Sequence, residues 1–545
     1  MLQLLAFTVS SFAPLDGTRS VTPWIENLAT RPLRHVVTPQ AAVMMLAEGI
    51  DLRDMNGDGD LNDWVPSVYD FRSRATVHFG VACDSFFYSD GPWVALHALE
   101  RNQGQDLNGD GDLVDSVLWF YNTLGRRRVE VGLASISFVA FGQELAFFGV
   151  PEAGQGGIDR NGDGDATDTI LEAIELSTGR LLSSGRATGA SFVASGDLVV
   201  QPVPELFEGR DLNGDGDQSD VVLHVTRTST GVTWNLRRAL STRTPQLQGR
   251  RLLYCVSETA QREDLDGDGD TLDTVWEIVD LGTGRIRNTG LASSEAFLGE
   301  DVLGILVDEA ASAATDLNGD GDAFDFVMHA GGADGAGLVN LGLAARDAQV
   351  RGGSLAWIVD ERRHQQDVNG DGDLFDFVPH YWRAGVAMSL GYAGNNYTLG
   401  ENHLAMLMRE ADSGSIDLDG NGRTTDDLVV LRHLATGRQD VLGGGAFQLA
   451  FQGDTLFFAL VEDREALDLN LDGDLADVVL QAWDLRMGTA RNLGLAGSLG
   501  GGTWSLAAHA PLLLRVPEVS QGVDLNGDGI LSGDVLHAAH EFTSR

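Results

Sequence analysis

The sequence predicts an all-β protein, a β-propeller of about ten four-stranded blades. Three observations predict it. A short acidic loop, D-x-N-G-D-G-D-x-x-D in its most regular form, recurs ten times. The loops begin at Asp54, Asp106, Asp159, Asp211, Asp264, Asp316, Asp367, Asp417, Asp468 and Asp524, at steps of 50 to 56 residues. Such a step is the length of one repeated supersecondary unit. The stretches between loops are short runs rich in Val, Leu, Ile, Phe and Trp, bounded by Gly/Asp/Ser turns. No long stretch shows helical periodicity.

Residues 190–240 show the unit in order. A first strand, Ala190 to Ala194, ends at the turn Ser195-Gly196-Asp197. A second runs from Leu198 to Val203, and the acidic loop follows. A third, Val221 to Val225, starts directly after Asp220. The turn Thr230-Gly231 leads to a fourth, Val232 to Leu236. The same order recurs around Leu145–Val150 and Thr169–Ile174, and around Val302–Val307 and Phe326–His329. Four antiparallel strands in such a repeat make a propeller blade, with the acidic loop between its second and third strands.

The chain ends bear on closure. Val21-Thr22-Pro23-Trp24-Ile25 is similar to the fourth strand Val232-Thr233-Trp234-Asn235-Leu236, whereas the last unit stops after a third strand near Val535. A strand near residues 21–28 is therefore expected to complete the last blade of a single array over residues 1–545. Met1–Ser20 is left over, either a signal remnant or a further strand. Nothing breaks the spacing near residues 290–300, so one ring is preferred over two five-bladed rings or an open arc.

Net charge is −43, and 39 of the 80 acidic residues sit in the ten loops. Ten divalent cations would reduce it to −23, so much of the acidity reads as ligand charge. All 37 basic residues are Arg, and no basic stripe exists to neutralise phosphates; nucleic acid is not an expected partner. Cys83 and Cys255 lie in different units and are expected to be buried free thiols. No apolar run approaches the roughly 18–20 residues of a membrane helix.

Within a loop, positions 1, 3, 5, 7 and 10 carry oxygen donors. They are Asp54, Asn56, Asp58, Asp60 and Asp63 in the first loop, and Asp106, Asn108, Asp110, Asp112 and Asp115 in the second. The third has Asp159, Asn161, Asp163, Asp165 and Asp168, and the fourth Asp211, Asn213, Asp215, Asp217 and Asp220. Asp264, Asp266, Asp268, Asp270 and Asp273 follow, then Asp316, Asn318, Asp320, Asp322 and Asp325. The seventh holds Asp367, Asn369, Asp371, Asp373 and Asp376. Three loops vary. The eighth has Asp417, Asp419, Asn421 and Asp426, with Arg423 at position 7, which should weaken binding. The ninth has Asp468, Asn470, Asp472, Asp474 and Asp477, with Leu471 where Gly is usual. The last has Asp524, Asn526, Asp528 and a displaced Asp534.

Hard oxygen donors without His or Cys select calcium over zinc or copper, and their number selects it over magnesium. Four carboxylates in ten residues repel one another strongly without a cation. About ten Ca²⁺ sites are expected, acting as structural staples and least secure at 417 and 524. Over positions 1 to 6 the loop resembles those of EF-hand and dockerin modules. It departs from them by closing on an Asp at position 10 and by lacking flanking helices. It is more similar to the FG-GAP loops of integrin alpha-chain propellers, D-x-D-x-D-G-x-x-D, where the closing Asp comes one residue earlier. That resemblance implies a calcium-binding propeller.

A second periodic feature is a Glu six or seven residues before each loop: Glu48, Glu100, Glu152, Glu205, Glu258, Glu309, Glu361, Glu410, Glu462 and Glu518. Each is expected to add a ligand to its own loop. His224, His329 and His380 share one place in the third strand, where other units carry Ser67, Trp119, Glu172, Glu277, Val430 and Gln481. A variable strand face explains that place better than a ring lining a groove.

No G-x-S-x-G elbow, H-E-x-x-H helix or phosphate-binding loop occurs. The expected function is a secreted or cell-surface scaffold for interaction or adhesion, rigidified by calcium, with a protein or glycan ligand. A calcium-dependent enzyme or carbohydrate binder using the central face is the second reading. A self-associating structural component of a surface assembly or filament is the third.

Overall fold

A computed structural model describes every residue except 1–24, 31, 33, 136–137, 190–191, 294, 500–510, 528, 532 and 540–545. It contains eight four-stranded antiparallel sheets and one of seven strands. The larger sheet is two blades joined through one long strand, Val339–Arg351, which is the fourth strand of one and the first of the next. There are thus ten β-propeller blades, numbered 1 to 10 in the order of their loops. They fall into two compact units. Pro32–Ser294 holds blades 1 to 5. Glu295–Gly501 and Pro511–Arg545, with the strand Ile25–Asn27, hold blades 6 to 10.

Blade 4 shows how the sequence makes a blade. Its strands are Val193–Ser195, Leu198–Pro204, Val221–Arg227 and Val232–Ala239. The first two pair through a two-residue turn, Gly196-Asp197, in which Gly196 has φ +57°. Glycine accepts that left-handed backbone without a Cβ clash. The second strand is buried on both faces except at its end, as expected where a neighbouring blade covers each side. Leu198, Val200, Leu223 and Val225 pack on Leu252, Tyr254 and Val256 of blade 5. The other cores are of the same kind and lie between consecutive blades. In each unit the first strands of successive blades touch one another, which makes them the hub.

Ile25–Asn27 pairs with Asp534–Ala539 and is the fourth strand of blade 10. Met1–Ser20 and Val21–Trp24 lie outside the described residues. Cys83 and Cys255 are free and buried. No described helix is long and apolar enough to cross a membrane. The helices present are four-residue turns, and seven of the periodic glutamates each begin one, such as Glu100–Gln103 and Glu258–Gln261.

Candidate metal centre

Every acidic loop is wound by its own side chains. The carboxylate at position 1 accepts the N–H of position 4 on one oxygen and of position 6 on the other. For Asp106 the donors are Gly109 at 2.6 Å and Gly111 at 3.0 Å. For Asp417 they are Gly420 at 2.8 Å and Gly422 at 3.0 Å. In the regular loops, side chains at positions 3, 5 and 7 each cap the N–H two residues on, as Asn108, Asp110 and Asp112 do at 2.9–3.1 Å. Position 6 is glycine throughout, with φ between +82° and +107°. Leu471 takes the left-handed conformation at position 4 of blade 9, φ +65°, at a cost of about 1–2 kcal/mol.

The periodic glutamates hold the loops from beneath. All ten are buried at 0 % exposure. One oxygen of each accepts the N–H of loop position 2, from Leu107 to Glu100 at 2.6 Å and from Leu525 to Glu518 at 2.8 Å. In six blades the other oxygen accepts the N–H of position 10, as from Asp115 to Glu100 at 3.1 Å. The glutamate is therefore a backbone clamp, a role the sequence reading did not assign it.

A second clamp comes from the fourth strand. Asn235, Asn288, Asn340 and Asn492 donate Nδ2 to the position-2 carbonyls of their own loops at 2.6–2.8 Å. Asn27 does the same for Leu525 at 2.7 Å. Each also accepts the N–H two residues on, from a residue at positive φ. The recurring Asn-x-Gly of Asn288, Asn340 and Asn492 is the sequence signal for this device.

The loop also faces the next blade. Asn108 donates to the Gly154 carbonyl of blade 3 at 2.8 Å, and the Gly156 N–H returns to Asp110 Oδ2 at 3.1 Å. Blades 7 and 8 repeat this with Asn369, Asp412, Gly414 and Asp371. Loop spacing alone shows one blade at a time, so this joint was invisible in the sequence.

The donors fit a hard cation. In blade 1 the carboxylate oxygens of Glu48, Asp60 and Asp63 lie within 4.8 Å of one another, and Glu258, Asp266 and Asp273 do so in blade 5. Two oxygens on one Ca²⁺ lie at most about 5 Å apart, given bonds of about 2.3–2.6 Å. The second carboxylate oxygens of Glu48, Glu361 and Glu410, and Oδ2 of Asp320, are buried with no hydrogen-bond partner. An unanswered buried carboxylate oxygen is costly. Burial, then repulsion from loop carboxylates, raises the closing aspartates: Asp115, Asp168, Asp273 and Asp325 to about 6 and Asp376 to about 7.

Two loops depart from the rest. In blade 8, Asn421 at position 5 takes over the contact to the closing Asp426, at 2.9 Å. Arg464 of blade 9 pairs with that carboxylate at 2.9 Å, while Glu465 accepts the Gly444 N–H at 2.7 Å. In blade 10 the glutamate N–H reaches the carbonyl of Gly533 where other blades offer the closing Asp, and Asp534 opens the next strand, exposed. Asp528 lies outside the described residues.

His224, His329 and His380 are buried in third strands, two strands out from the hub. Glu172, at the same place, pairs with Arg160 at 2.6 Å, and Glu277 accepts Tyr254 Oη at 2.7 Å. At the hub of the unit of blades 1 to 5, a cavity of about 690 Å³ is lined by Phe138, Phe141, Phe192 and Leu247, with Asp90 its single carboxylate and no histidine.

No family model and no curated protein matches the chain. Solved structures, β-propellers among them, resemble it in fold. The β-propeller domain of the Trilobed protease from Pyrococcus furiosus aligns at TM-score 0.32 and 8 % identity, over 65 % of this chain and 95 % of that one. BamB from Moraxella catarrhalis aligns at 0.30 and 11 %, over 68 % and 97 %. The computationally designed Ika8 protein aligns at 0.32 and 9 %, over 68 % and 91 %.

Proposed function

We propose that this chain is a calcium-binding propeller protein, secreted or held at the cell surface, that serves as a rigid scaffold for interaction or adhesion. Its loops bind Ca²⁺ through positions 1, 3, 5, 7 and 10, and the ions are structural. The observation that carries this reading is the buried, unpartnered oxygen of Glu48 beside the converging carboxylates of Asp60 and Asp63 in blade 1, with a like unpartnered oxygen on Glu361 and Glu410. Extracellular calcium suits sites of modest affinity, ~0.1–1 mM. The glutamates belong to this reading twice, as clamps on the backbone and, through their second oxygen, as ligands where that oxygen is unanswered.

Isothermal titration of the chelator-treated full chain tests the reading, with magnesium as the competing ion. Several calcium ions per chain are expected, with little displacement by magnesium. Absence of calcium heat, together with an unchanged melting temperature in EDTA, would overturn it. Glu361→Gln is expected to weaken one site; unchanged affinity would remove the ligand role and leave the clamp. Sedimentation with and without calcium separates a monomeric module from a self-assembling one.

A further inference from the structure

The blade 4 loop already holds a cation against its positions 5 and 7. The helix Glu258–Gln261 of blade 5 ends on Arg262, in the left-handed region at φ +58°. The other named turns at this place end on Leu, Gly, Gln or Ala. From there the guanidinium crosses to the loop of blade 4. Nη1 donates to the Asp215 carbonyl at 2.6 Å, Nε pairs with Asp215 Oδ2 at 3.1 Å, and Nη2 pairs with Asp217 Oδ2. The Asp215 side chain is 2 % exposed, so one partner in this set is withdrawn from water.

The position-5 carboxylate has an inter-blade partner elsewhere too, but there it is neutral. Asp110 and Asp371 receive a backbone N–H from Gly156 and Gly414. Only at Asp215, among these joints, does a full positive charge answer the carboxylate. A planar fork bound to two carboxylates is a strong, fixed pairing. It also lies against positions 5 and 7, whose oxygens the calcium reading needs.

We infer that Arg262 is a resident cation of the blade 4 loop. It lowers calcium affinity there and keeps the joint between blades 4 and 5 closed when calcium is scarce. This rests on the calcium reading of the loops. A single positive charge within a few ångströms of a divalent ion weakens its binding by about tenfold or more at the effective dielectric of a protein surface.

The test uses the full chain as wild type, Arg262→Ala and Arg262→Lys. Equilibrium dialysis with radioactive Ca²⁺ gives the isotherm. Hydrogen exchange in EDTA reads the amides of Gly214 and Gly216 against those of Gly109 and Gly111. In Arg262→Ala one site is expected to tighten by about tenfold, and the blade 4 amides to lose their excess protection. Arg262→Lys, which keeps the charge, is expected to stay within about threefold of wild type. An unchanged isotherm in Arg262→Ala overturns the inference, as does an equal gain in Arg262→Lys. Equal exchange of the two loops in wild type in EDTA also overturns it. A wild-type chain that binds no calcium fails the calcium reading itself, while the exchange arm still reports whether Arg262 holds the joint.

Discussion

The loops of blades 2 and 8 follow the same backbone path with different charges. Asp106 and Asp417 wind them through matching pairs of N–H bonds, and Glu100 and Glu410 clamp both at position 2. Blade 2 then places Asp110, Asp112 and Asp115 on the loop. Blade 8 has Asn421 and Arg423 at positions 5 and 7, and Arg464 sits on its closing carboxylate. The path is thus set by side-chain caps and a buried clamp, and the charge is free to vary on top of it. Shape alone does not guarantee an ion.

The largest expected effect is on the whole set. Removing calcium with EDTA should lower the melting temperature by more than about 10 °C, since each site at 100 times its Kd contributes roughly 2.7 kcal/mol. Differential scanning calorimetry reads it. If blade 8 is the weak site, its amides should be the last to gain protection as calcium is restored.

Second in size is a pH effect. The closing aspartates of blades 2, 3, 5, 6 and 7 titrate at about 6 to 7 in the folded chain, above the ordinary carboxylate value of 3.8. Folded, cation-free protein therefore binds more protons than unfolded protein between about pH 4 and 7. Their contribution to its stability is fully present below about pH 4 and lost as pH rises through 6 to 7. On the calcium reading, a bound ion would displace those protons. Buried His224, His380 and His537 and half-buried His403, lowered to about 4 by desolvation, weigh on both forms alike. The melting-temperature gap between calcium and EDTA should widen from pH 4 to 7; a constant gap would break the comparison.

Single substitutions come next. Glu100→Gln keeps one accepting oxygen but turns an NH2 toward a backbone N–H that the carboxylate now answers, and should cost about 2–3 kcal/mol in urea unfolding. Glu410→Gln, whose second oxygen is unpartnered, should cost about half that without calcium. The smallest effect is a gain: Arg423→Asp should raise calcium affinity at blade 8 about tenfold, read by titration.

Much of this was written in the sequence. The ten loops, the strand order around Leu198–Pro204 and Val221–Arg227, and the periodic glutamates all follow from spacing and composition. The glutamate's role was only half legible, because spacing gives proximity to the loop and not which N–H groups a carboxylate meets. Asn235 and its equivalents were missed because they lie beyond a turn, on a strand whose bulge restores their reach. Arg262 and Arg464 were missed because they act on the preceding blade, 47 and 38 residues back, where only three dimensions bring them together.

The Ile25–Asn27 strand sets a schedule for the nascent chain. Asn27 anchors the loop of blade 10 across a separation of 498 residues. At roughly 5–20 residues per second of synthesis, about 25–100 s pass between the two strands leaving the ribosome. Through that interval the Ile25–Asn27 segment waits without its partner, and blade 10 cannot be finished until its third strand, Asp534–Ala539, has been made. Any factor that shields an unpaired strand would act on this protein in that window.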